Sequence, residues 1–186
     1  MRLSDLDPAD LTPEQQEVYE SLRNRAQGAL PGLIGPFGVW VRAPKVGGAV
    51  QALGAAVRFG SSLAENVKEV AICTVGEFHQ AKFEFAAHKR LARRAGVDEA
   101  ALERMQRGQD PELEGDEALA YSVASQLVRE HKIDTATYAA AAAAFGEEGL
   151  IELVTTVGYY CVVSLTLNAF EVPLLESWTD PFPEGP

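Results

Sequence analysis

A run of apolar residues near the C-terminal end is the feature that most limits how this chain can fold. The stretch LIELVTTVGYYCVVSLTLNAF, residues 150–170, carries a single charged side chain, that of Glu152. Its apolar residues would lie on nearly every side of a helix, and such a helix belongs at the centre of a helical bundle or in a subunit interface. Other helices, or a neighbouring chain, must therefore cover it.

Glycine and proline divide the rest of the sequence into further helical segments. No convincing run of alternating β-branched residues, as expected of strands, occurs between them. We therefore predict an all-α protein. The predicted helices span about residues 13–27, 46–59, 65–75, 81–95, 98–108, 117–130, 134–145 and 147–170.

Several of these helices have recognisable caps. Thr12 precedes Pro13, and proline suits the first turn of a helix. Ser62 and Glu65 have the three-residue spacing of a capping box, and Asp98 can cap the helix that follows it. These residues predict where three of the helices begin.

The segment between the first two helices, GALPGLIGPFGVWVRAPKVGG, is rich in glycine and proline and yet strongly apolar. A loop of this composition must fold back on the body of the protein or be covered by a partner chain.

The length of 186 residues fits one domain with a proper core. We predict a single domain over residues 1–186, with an N-terminal arm at about 1–11 and a proline-broken C-terminal arm at about 171–186. The second arm carries four large apolar side chains that we expect to pack across a neighbouring subunit, namely Leu174, Leu175, Trp178 and Phe182.

Composition argues against several classes of partner. The formal charge of −11, from 27 acids and 16 bases, repels nucleic acid. The N-terminal residues lack the apolar core of a signal peptide, and no stretch of about 18 uninterrupted apolar residues predicts a membrane span. Cys73 and Cys161 have no CxxC spacing. We expect a cytoplasmic protein that contacts no membrane and keeps two reduced thiols.

The stretch FHQAKFEFAAHKRLARRAG, residues 78–96, holds two of the three histidines. On a helix, residues four, seven and eleven positions apart share one face. The stripe formed in this way consists of Ala81, Glu84, His88, Leu91 and Ala95. It is mostly small or apolar, while the lysines and arginines lie on the other faces. Glu84 and His88 are therefore expected to face the interior.

A glutamate and a histidine one turn apart can act together as an acid/base pair. The carboxylate orients the imidazole and raises its pKa, and the imidazole moves the proton. An ordinary surface contact between Glu84 and His88 would have the same spacing. A metal site is disfavoured because Glu84 and His88 supply two ligands where catalytic zinc needs three, and EFAAH is not an HExxH motif. His79 would be a third ligand if the chain bends near Gly76. The basic cluster after His88 is typical of a solvated helix end rather than of a polyanion site.

Several segments together resemble the carboxymuconolactone decarboxylase family, which shares its fold with the alkylhydroperoxidase D-like proteins. They are GPFGVW, ENVKEVAICTV, FEFAAHKRLARRAGV, GYY and TLNAFEVP, and FEFAAH is the sharpest of them. The resemblance covers most of the chain. It implies a multi-helical bundle that assembles into homo-oligomers, trimers or hexamers, with active sites near subunit contacts.

The peroxidase branch of this superfamily uses a CxxC pair, a histidine four residues later and a glutamate upstream. By this resemblance the cysteines fall on Ala81 and Glu84, the histidine on His88 and the glutamate on Glu69. A dithiol peroxidase cannot work without its thiols. The decarboxylase branch has a glutamate in place of the second cysteine, and Glu84 matches it.

The resemblance therefore implies cofactor-free decarboxylation of a small carboxylated lactone or related ring, with no metal. His88 would deliver the proton, Glu84 would hold the imidazole and Glu69 would act as a more distant relay. Of the three residues, Glu69 has the weakest argument for a catalytic role, because the helix dipole alone explains a glutamate near a helix start.

Residues that bind the small-molecule substrate are harder to predict from the sequence. Arg42 could anchor its carboxylate, and Arg58 is an alternative cation. Trp40 and Phe37 could line the ring, although core aromatics would have the same pattern. Two other functions stay open: a hydrolase or isomerase that uses the same Glu/His pair, and a helical oligomer without catalysis.

Overall fold

The computed structural model describes residues 1–25 and 33–183, and every regular element in these two ranges is helical. A single 3-10 turn, Pro8–Asp10, precedes the first α-helix. The α-helices are α1 Pro13–Arg25, α2 Phe37–Trp40, α3 Pro44–Ala55, α4 Glu65–Phe78, α5 Lys82–Arg94, α6 Glu99–Gln106, α7 Gly115–Glu130 and α8 Thr135–Ala169. The all-α prediction is therefore confirmed for the described part of the chain.

Helix α4 lies at the centre of the bundle and packs against α5, α7 and α8. Ten consecutive residues of α4 are buried, from Val67 to Gly76. Glu69 and Lys68 lie within this buried run. Polar groups in such a position need partners inside the protein, because water cannot reach them.

A hairpin of α4 and α5 places two of the predicted site residues opposite each other. The turn between the helices includes Gln80, whose φ is 50°. Gly76 allows the close approach of the helices, since a Cβ atom there would lie 3.3 Å from the backbone nitrogen of Phe85. Glu69 on α4 and His88 on α5 then face the same part of the core.

The two helices predicted at 134–145 and 147–170 are both present, and α8 comprises them on either side of a break at Gly146. That residue has φ 71° and ψ 178°, which are not helical angles. Helix α8 packs against α4 and α7. Among the described helices, α8 is long and apolar enough to cross a membrane, and half of its most apolar stretch is buried inside the protein.

The apolar segment before α3 folds back on the body of the protein. Its residues 33–43 include the short helix α2, and Trp40 and Val41 are buried in it. The prediction that this segment is covered is confirmed for the residues described, and its first part lies outside the described residues.

The predicted caps have mixed outcomes. Asp98 accepts a hydrogen bond from the Ala101 amide, as predicted. Ser62 does not cap α4, because Ala64 occupies the N-cap position without a side-chain hydrogen bond. The Ser62 hydroxyl instead donates to Glu152 Oε2 at 2.8 Å. The capping-box prediction was wrong because a carboxylate 90 residues away takes that hydroxyl.

The C-terminal arm packs on its own chain. The Trp178 ring lies 5.1 Å from that of Phe83, and the Phe182 ring lies 5.0 Å from that of Phe85, both on α5. The Lys82 ammonium donates to Asp180 Oδ2 at 2.7 Å. The arm therefore needs no neighbouring subunit to cover these aromatic residues, contrary to our expectation.

Candidate active site

The His88 imidazole lies between two carboxylates in the interior of the bundle. Its Nδ1 lies 2.6 Å from Glu69 Oε2, and its Nε2 lies 3.0 Å from Glu84 Oε1. The exposed fractions of these residues are 8% for His88, 1% for Glu69 and 3% for Glu84. The structure thus brings together all three residues predicted to be catalytic. Glu69 is a direct partner of the ring rather than a more distant relay.

The two carboxylates do not contact the ring in the same way. The Nδ1–H donates to Glu69 along a short, well-aligned hydrogen bond. Glu84 Oε1 is close to Nε2 but lacks hydrogen-bond alignment, and it has no hydrogen-bond partner among the described residues. The hydrogen bond to Glu69 therefore fixes Nδ1, whereas Nε2 has an ion-pair contact with Glu84 but no aligned hydrogen bond.

This environment favours the protonated imidazole. Burial alone would lower the pKa of His88, but the charges of Glu69 and then Glu84 outweigh burial and raise the pKa to about 9. His88 is therefore an imidazolium at neutral pH. Burial alone would raise the pKa of Glu69, but His88 and Arg58 hold it below the ordinary value.

Arg58 completes the charged cluster. Its Nη1 donates to Glu69 Oε1 at 2.7 Å and lies 3.4 Å from His88 Nδ1. Burial would lower the pKa of Arg58, but Tyr160 and Glu69 raise it above the ordinary value. Two cations, Arg58 and His88, then face two carboxylates, so that the cluster is close to neutral overall.

A π-helical turn positions Arg58. Residues Ala56–Gly60 form this turn at the end of α3, and such turns often occur at functional sites. The buried Lys68 ammonium donates to the Arg58 carbonyl at 2.9 Å. After the turn, Glu152 of α8 accepts from the Ser61 hydroxyl and the Ser62 amide. These hydrogen bonds hold the backbone at Arg58 and just after it, and so position the Arg58 side chain.

Two tyrosines of α8 form a wall beside the imidazole. The edge of the His88 ring meets Tyr160, with ring centroids 5.0 Å apart. Tyr159 lies 5.0 Å from Tyr160, and Gly54 of α3 leaves room for its hydroxyl, since a Cβ atom there would lie 2.2 Å from that oxygen. Burial raises the pKa of both tyrosines above the ordinary value. Both hydroxyls are therefore neutral near pH 7.

The predicted substrate-binding residues lie at different places. The Trp40 ring is 6.3 Å from that of Tyr159, and the Phe37 ring is 5.9 Å from that of Trp40. Trp40 thus contacts Tyr159, and Tyr160 beside it contacts His88. Arg42 donates to the carbonyls of Gly38 and Ser4, and the structure does not bring it to His88. The cation at the cluster is Arg58.

The other histidines and the thiols are outside this set of contacts. His79 ends α4, and its ring packs on that of Phe78. His131 lies in an exposed turn after α7. Cys73 is fully buried, and burial, then Glu69 and Glu84, raise the pKa of its thiol well above the ordinary value. A protonated, inaccessible thiol of this kind is a poor nucleophile.

Sequence reasoning missed the tyrosine pair. Tyr159 and Tyr160 lie within the most apolar helix, where the pattern indicated only core packing. Two adjacent tyrosines in an otherwise apolar run were nevertheless a signal, because a buried hydroxyl needs a partner or a function.

Comparison with known proteins gives the fold but not the family. No protein-family model matches the chain, and no curated protein matches it closely enough to count as a relative. Solved structures do match. An uncharacterized peroxidase-related protein from Silicibacter sp. TM1040 is 17% identical, with a TM-score of 0.70 over 94% of this chain and 92% of that chain.

A debrominase, Bmp8, is the second similar protein. Its apo structure is 14% identical, with a TM-score of 0.65 over 92% of this chain and 90% of that chain. A cysteine-to-alanine variant of it, in complex with 2,3,4-tribromopyrrole, has a TM-score of 0.66 at 14% identity, over 95% of this chain and 92% of that chain. The chain has the alkylhydroperoxidase D-like fold. At these identities the similarity extends to the fold and no further.

Proposed function

We propose that this protein is a cofactor-free acid/base enzyme that decarboxylates a small carboxylated lactone or a related ring. The observation that carries the proposal is the His88 imidazolium, held between Glu69 and Glu84 in the interior of the bundle. A group with a pKa of about 9 is protonated at neutral pH and can donate a proton.

The chemistry assigned to the site is simple. The bond between the ring carbon and the substrate carboxylate breaks, carbon dioxide leaves, and the electron pair spreads into the lactone carbonyl as an enolate. His88 then gives the Nε2 proton to carbon, and solvent returns a proton to the imidazole. One proton is consumed for each carbon dioxide released, and no electron acceptor is needed.

The neighbours of His88 have separate roles in the proposed reaction. Glu69 keeps Nδ1 protonated and fixes the plane of the ring, because its hydrogen bond is short and aligned. Glu84 Oε1, which has no hydrogen bond in the described part of the chain, is available to a substrate hydroxyl or to the returning proton. Arg58 holds Glu69 in its ionised form.

Thiol peroxide chemistry fits these residues poorly. The positions of a CxxC pair hold Ala81 and Glu84, and Cys73 is buried and protonated. The debrominase among the similar structures was solved with a cysteine replaced by alanine. This chain has no cysteine among the contacts of His88 given above, so proton transfer is the chemistry that its own side chains support.

A second candidate is a hydrolase or isomerase acting through the same residues. The Glu84 carboxylate favours it, because its Oε1 is ion-paired with His88 Nε2 without an aligned hydrogen bond and could also take a proton from carbon or from water. The two candidates differ in their products, since only decarboxylation releases carbon dioxide.

The test uses 4-carboxymuconolactone as the probe, with carbon dioxide release and loss of ring absorbance followed together. The wild type is compared with His88→Gln, and with His79→Gln as a control for a histidine outside the cluster. Release by the wild type and by His79→Gln alone supports the proposal. Loss of ring absorbance without carbon dioxide favours the second candidate, and no change with any of a panel of carboxylated lactones would reject decarboxylation.

A further inference from the structure

A groove of about 440 Å³ lies between α5, α6 and the C-terminal arm. Its lining includes Lys89, Arg90 and Arg93 from α5, Gln106 from α6 and residues 177–181 from the arm. Pockets that hold small organic molecules usually have volumes of about 300–1,000 Å³. The groove is therefore large enough for a small ligand.

The groove is separate from the candidate active site. At 100° per residue, Arg90 and Arg93 lie on the side of α5 roughly opposite Glu84 and His88. Glu84 and His88 are buried in the bundle, whereas both arginines are exposed. A ligand in the groove would thus lie across α5 from the imidazole. The inference drawn from the groove does not depend on the proposed reaction.

The C-terminal arm forms a fixed wall of the groove. Gln106 Nε2 donates to the Pro181 carbonyl at 2.8 Å, and the Lys82 ammonium donates to Asp180 at 2.7 Å. The Trp178 ring packs on α5, as described above. Because these contacts hold the wall in place without a ligand, a ligand would not have to order it on binding.

Positive charges around the groove outnumber the negative ones. Lys89 and Arg93 share one carboxylate, that of Glu99. Arg90 forms no ion pair with another described residue. Asp180, the acid in the lining, is already paired with a lysine of α5. Two positive charges therefore remain unbalanced, in a chain whose formal charge is −11. Such a local excess attracts an anion with two negative charges.

Arg90 and Lys89 have donors that are free for such an anion. The Arg90 guanidinium carbon lies 5.5 Å from the centre of the Trp178 ring. A guanidinium over a ring keeps its N–H groups available, because they point outward in its own plane. The Lys89 ammonium donates to Gln106 Oε1 at 2.8 Å, and its side chain is only 15% exposed. An ammonium has three donors, so Lys89 can also contact a ligand.

We propose that this groove binds the phosphate group of a small molecule. A phosphate ester carries close to two negative charges and three strong acceptor oxygens at neutral pH. Its charge matches the unbalanced charge of the groove, and the planar fork of Arg90 suits two of its oxygens. Ser177 and Thr179 lie in the lining, and their hydroxyls make no hydrogen bond to another described residue. Both hydroxyls can donate to the remaining phosphate oxygen.

The test uses phenyl phosphate as the probe and isothermal titration calorimetry as the measurement. Arg90→Gln should weaken binding at least about tenfold, because it removes a charged hydrogen-bond donor. Arg94→Gln is the matched control, since Arg94 is exposed on the same helix but outside the lining. It changes the net charge equally and should leave the affinity within about twofold of the wild type. Equal weakening in both variants would mean that overall charge governs binding, and would overturn the proposal.

NMR signals of the two indole N–H groups show where the probe binds. The Trp178 signal should shift during the titration, because this ring lies in the lining. The Trp40 signal should not shift, since its ring lies beside Tyr159. A shift of Trp40 alone would place the probe near the candidate active site and overturn the proposal. An unchanged Trp178 signal in ligand-free Arg90→Gln checks that the arm keeps its position.

Two further anions define what the groove recognises. Inorganic phosphate that binds as tightly as phenyl phosphate would show that the phosphate group alone provides the affinity. Tighter binding of phenyl phosphate would show that the groove also contacts the attached group. Phthalate, a dicarboxylate of similar size and charge, should bind more weakly than phenyl phosphate. The proposal would be overturned by equal or tighter binding of phthalate, or by a wild type that binds neither phosphate compound at millimolar concentration.

Discussion

His88 Nδ1 lies 2.6 Å from Glu69 Oε2, although the two residues are 19 positions apart in the sequence and lie on two helices joined by a turn. This contact joins α4 to α5 and places opposite charges in the buried interior of the bundle. A buried pair is costly to break, because removal of one partner leaves the other charged and unsolvated. The same contact is therefore both structural and, in the proposed reaction, functional.

Replacement of His88 by glutamine should lower turnover at least about 100-fold, the lower range for loss of a general acid. Glutamine keeps a donor for Glu69 but cannot transfer a proton. Steady-state kinetics on any substrate found for the wild type checks this. His79→Gln should stay within about twofold of the wild type, and equal losses in the two variants would contradict a specific role for His88.

Replacement of Glu69 or Glu84 by glutamine should lower the pKa of His88. The fall should be larger for Glu69→Gln, since Glu69 gives the largest of the interactions that raise this pKa. The upper limb of the pH–rate profile, which reports loss of the imidazolium, should move to lower pH in the same order. NMR titration of the ring in each variant is the measurement. A larger effect from Glu84→Gln would reverse the roles assigned to the two carboxylates.

Arg58→Met should reduce the free energy of unfolding by about 2 kcal/mol, the typical value for a hydrogen bond between charged groups. Glu69 Oε1 then loses its partner at 2.7 Å while remaining buried. Chemical denaturation followed by circular dichroism measures the change. Arg42→Met is the control, because among the described residues that guanidinium donates to the backbone carbonyls of Gly38 and Ser4, outside the cluster. A loss as large in the control would argue against a special role for Arg58.

Stability should depend on pH through the same cluster. The pKa of His88 is about 9 in the folded protein and near its ordinary value of 6.5 in the unfolded chain. The stabilisation is therefore complete below about pH 6.5 and is lost as the pH rises towards 9. The change should be roughly 3 kcal/mol. Glu69, whose folded pKa is lowered, stabilises the protein above its ordinary pKa and loses this effect as the pH falls.

The control for this pH dependence is His88→Gln. Its free energy of unfolding should vary much less than that of the wild type between pH 6.5 and 9. If both proteins lose stability equally over this range, other groups are responsible.

The α5 stripe was the part of the site that periodicity alone could predict. Glu84 and His88 share a helix face with small and apolar residues, and both are buried as expected. Glu69 was suggested only by a family resemblance, because nothing in the local sequence of α4 distinguishes a buried glutamate from one that complements the helix dipole. Its partner lies on another helix, and the turn between them sets the distance.

Other parts of the site depend on contacts that a local pattern cannot contain. Arg58 reaches Glu69 because a π-helical turn ends α3, and Lys68 stabilises that turn from α4. Ser62 does not cap α4, because its hydroxyl donates to Glu152, which lies beside it in space. The arm that was expected on a neighbouring subunit packs on α5, where Phe83 and Phe85 provide the partners.

Removal of both thiols, in the Cys73→Ala/Cys161→Ala variant, should leave turnover within about twofold of the wild type. The proposed reaction uses no thiolate, and the buried Cys73 acts only in packing. Kinetics at a temperature well below the unfolding transition separates activity from any loss of stability. A loss comparable with that of His88→Gln would indicate thiol chemistry and contradict the proposed mechanism.

The most direct measurement is an NMR titration of His88 in the wild type, with the ring signals of the three histidines assigned by substitution. Our account predicts that the His88 imidazole titrates near pH 9, above its ordinary value, because Glu69 and Glu84 hold its proton. A pKa at or below the ordinary 6.5 would mean that the ring is neutral at physiological pH. That result would contradict the role of His88 as a buried proton donor.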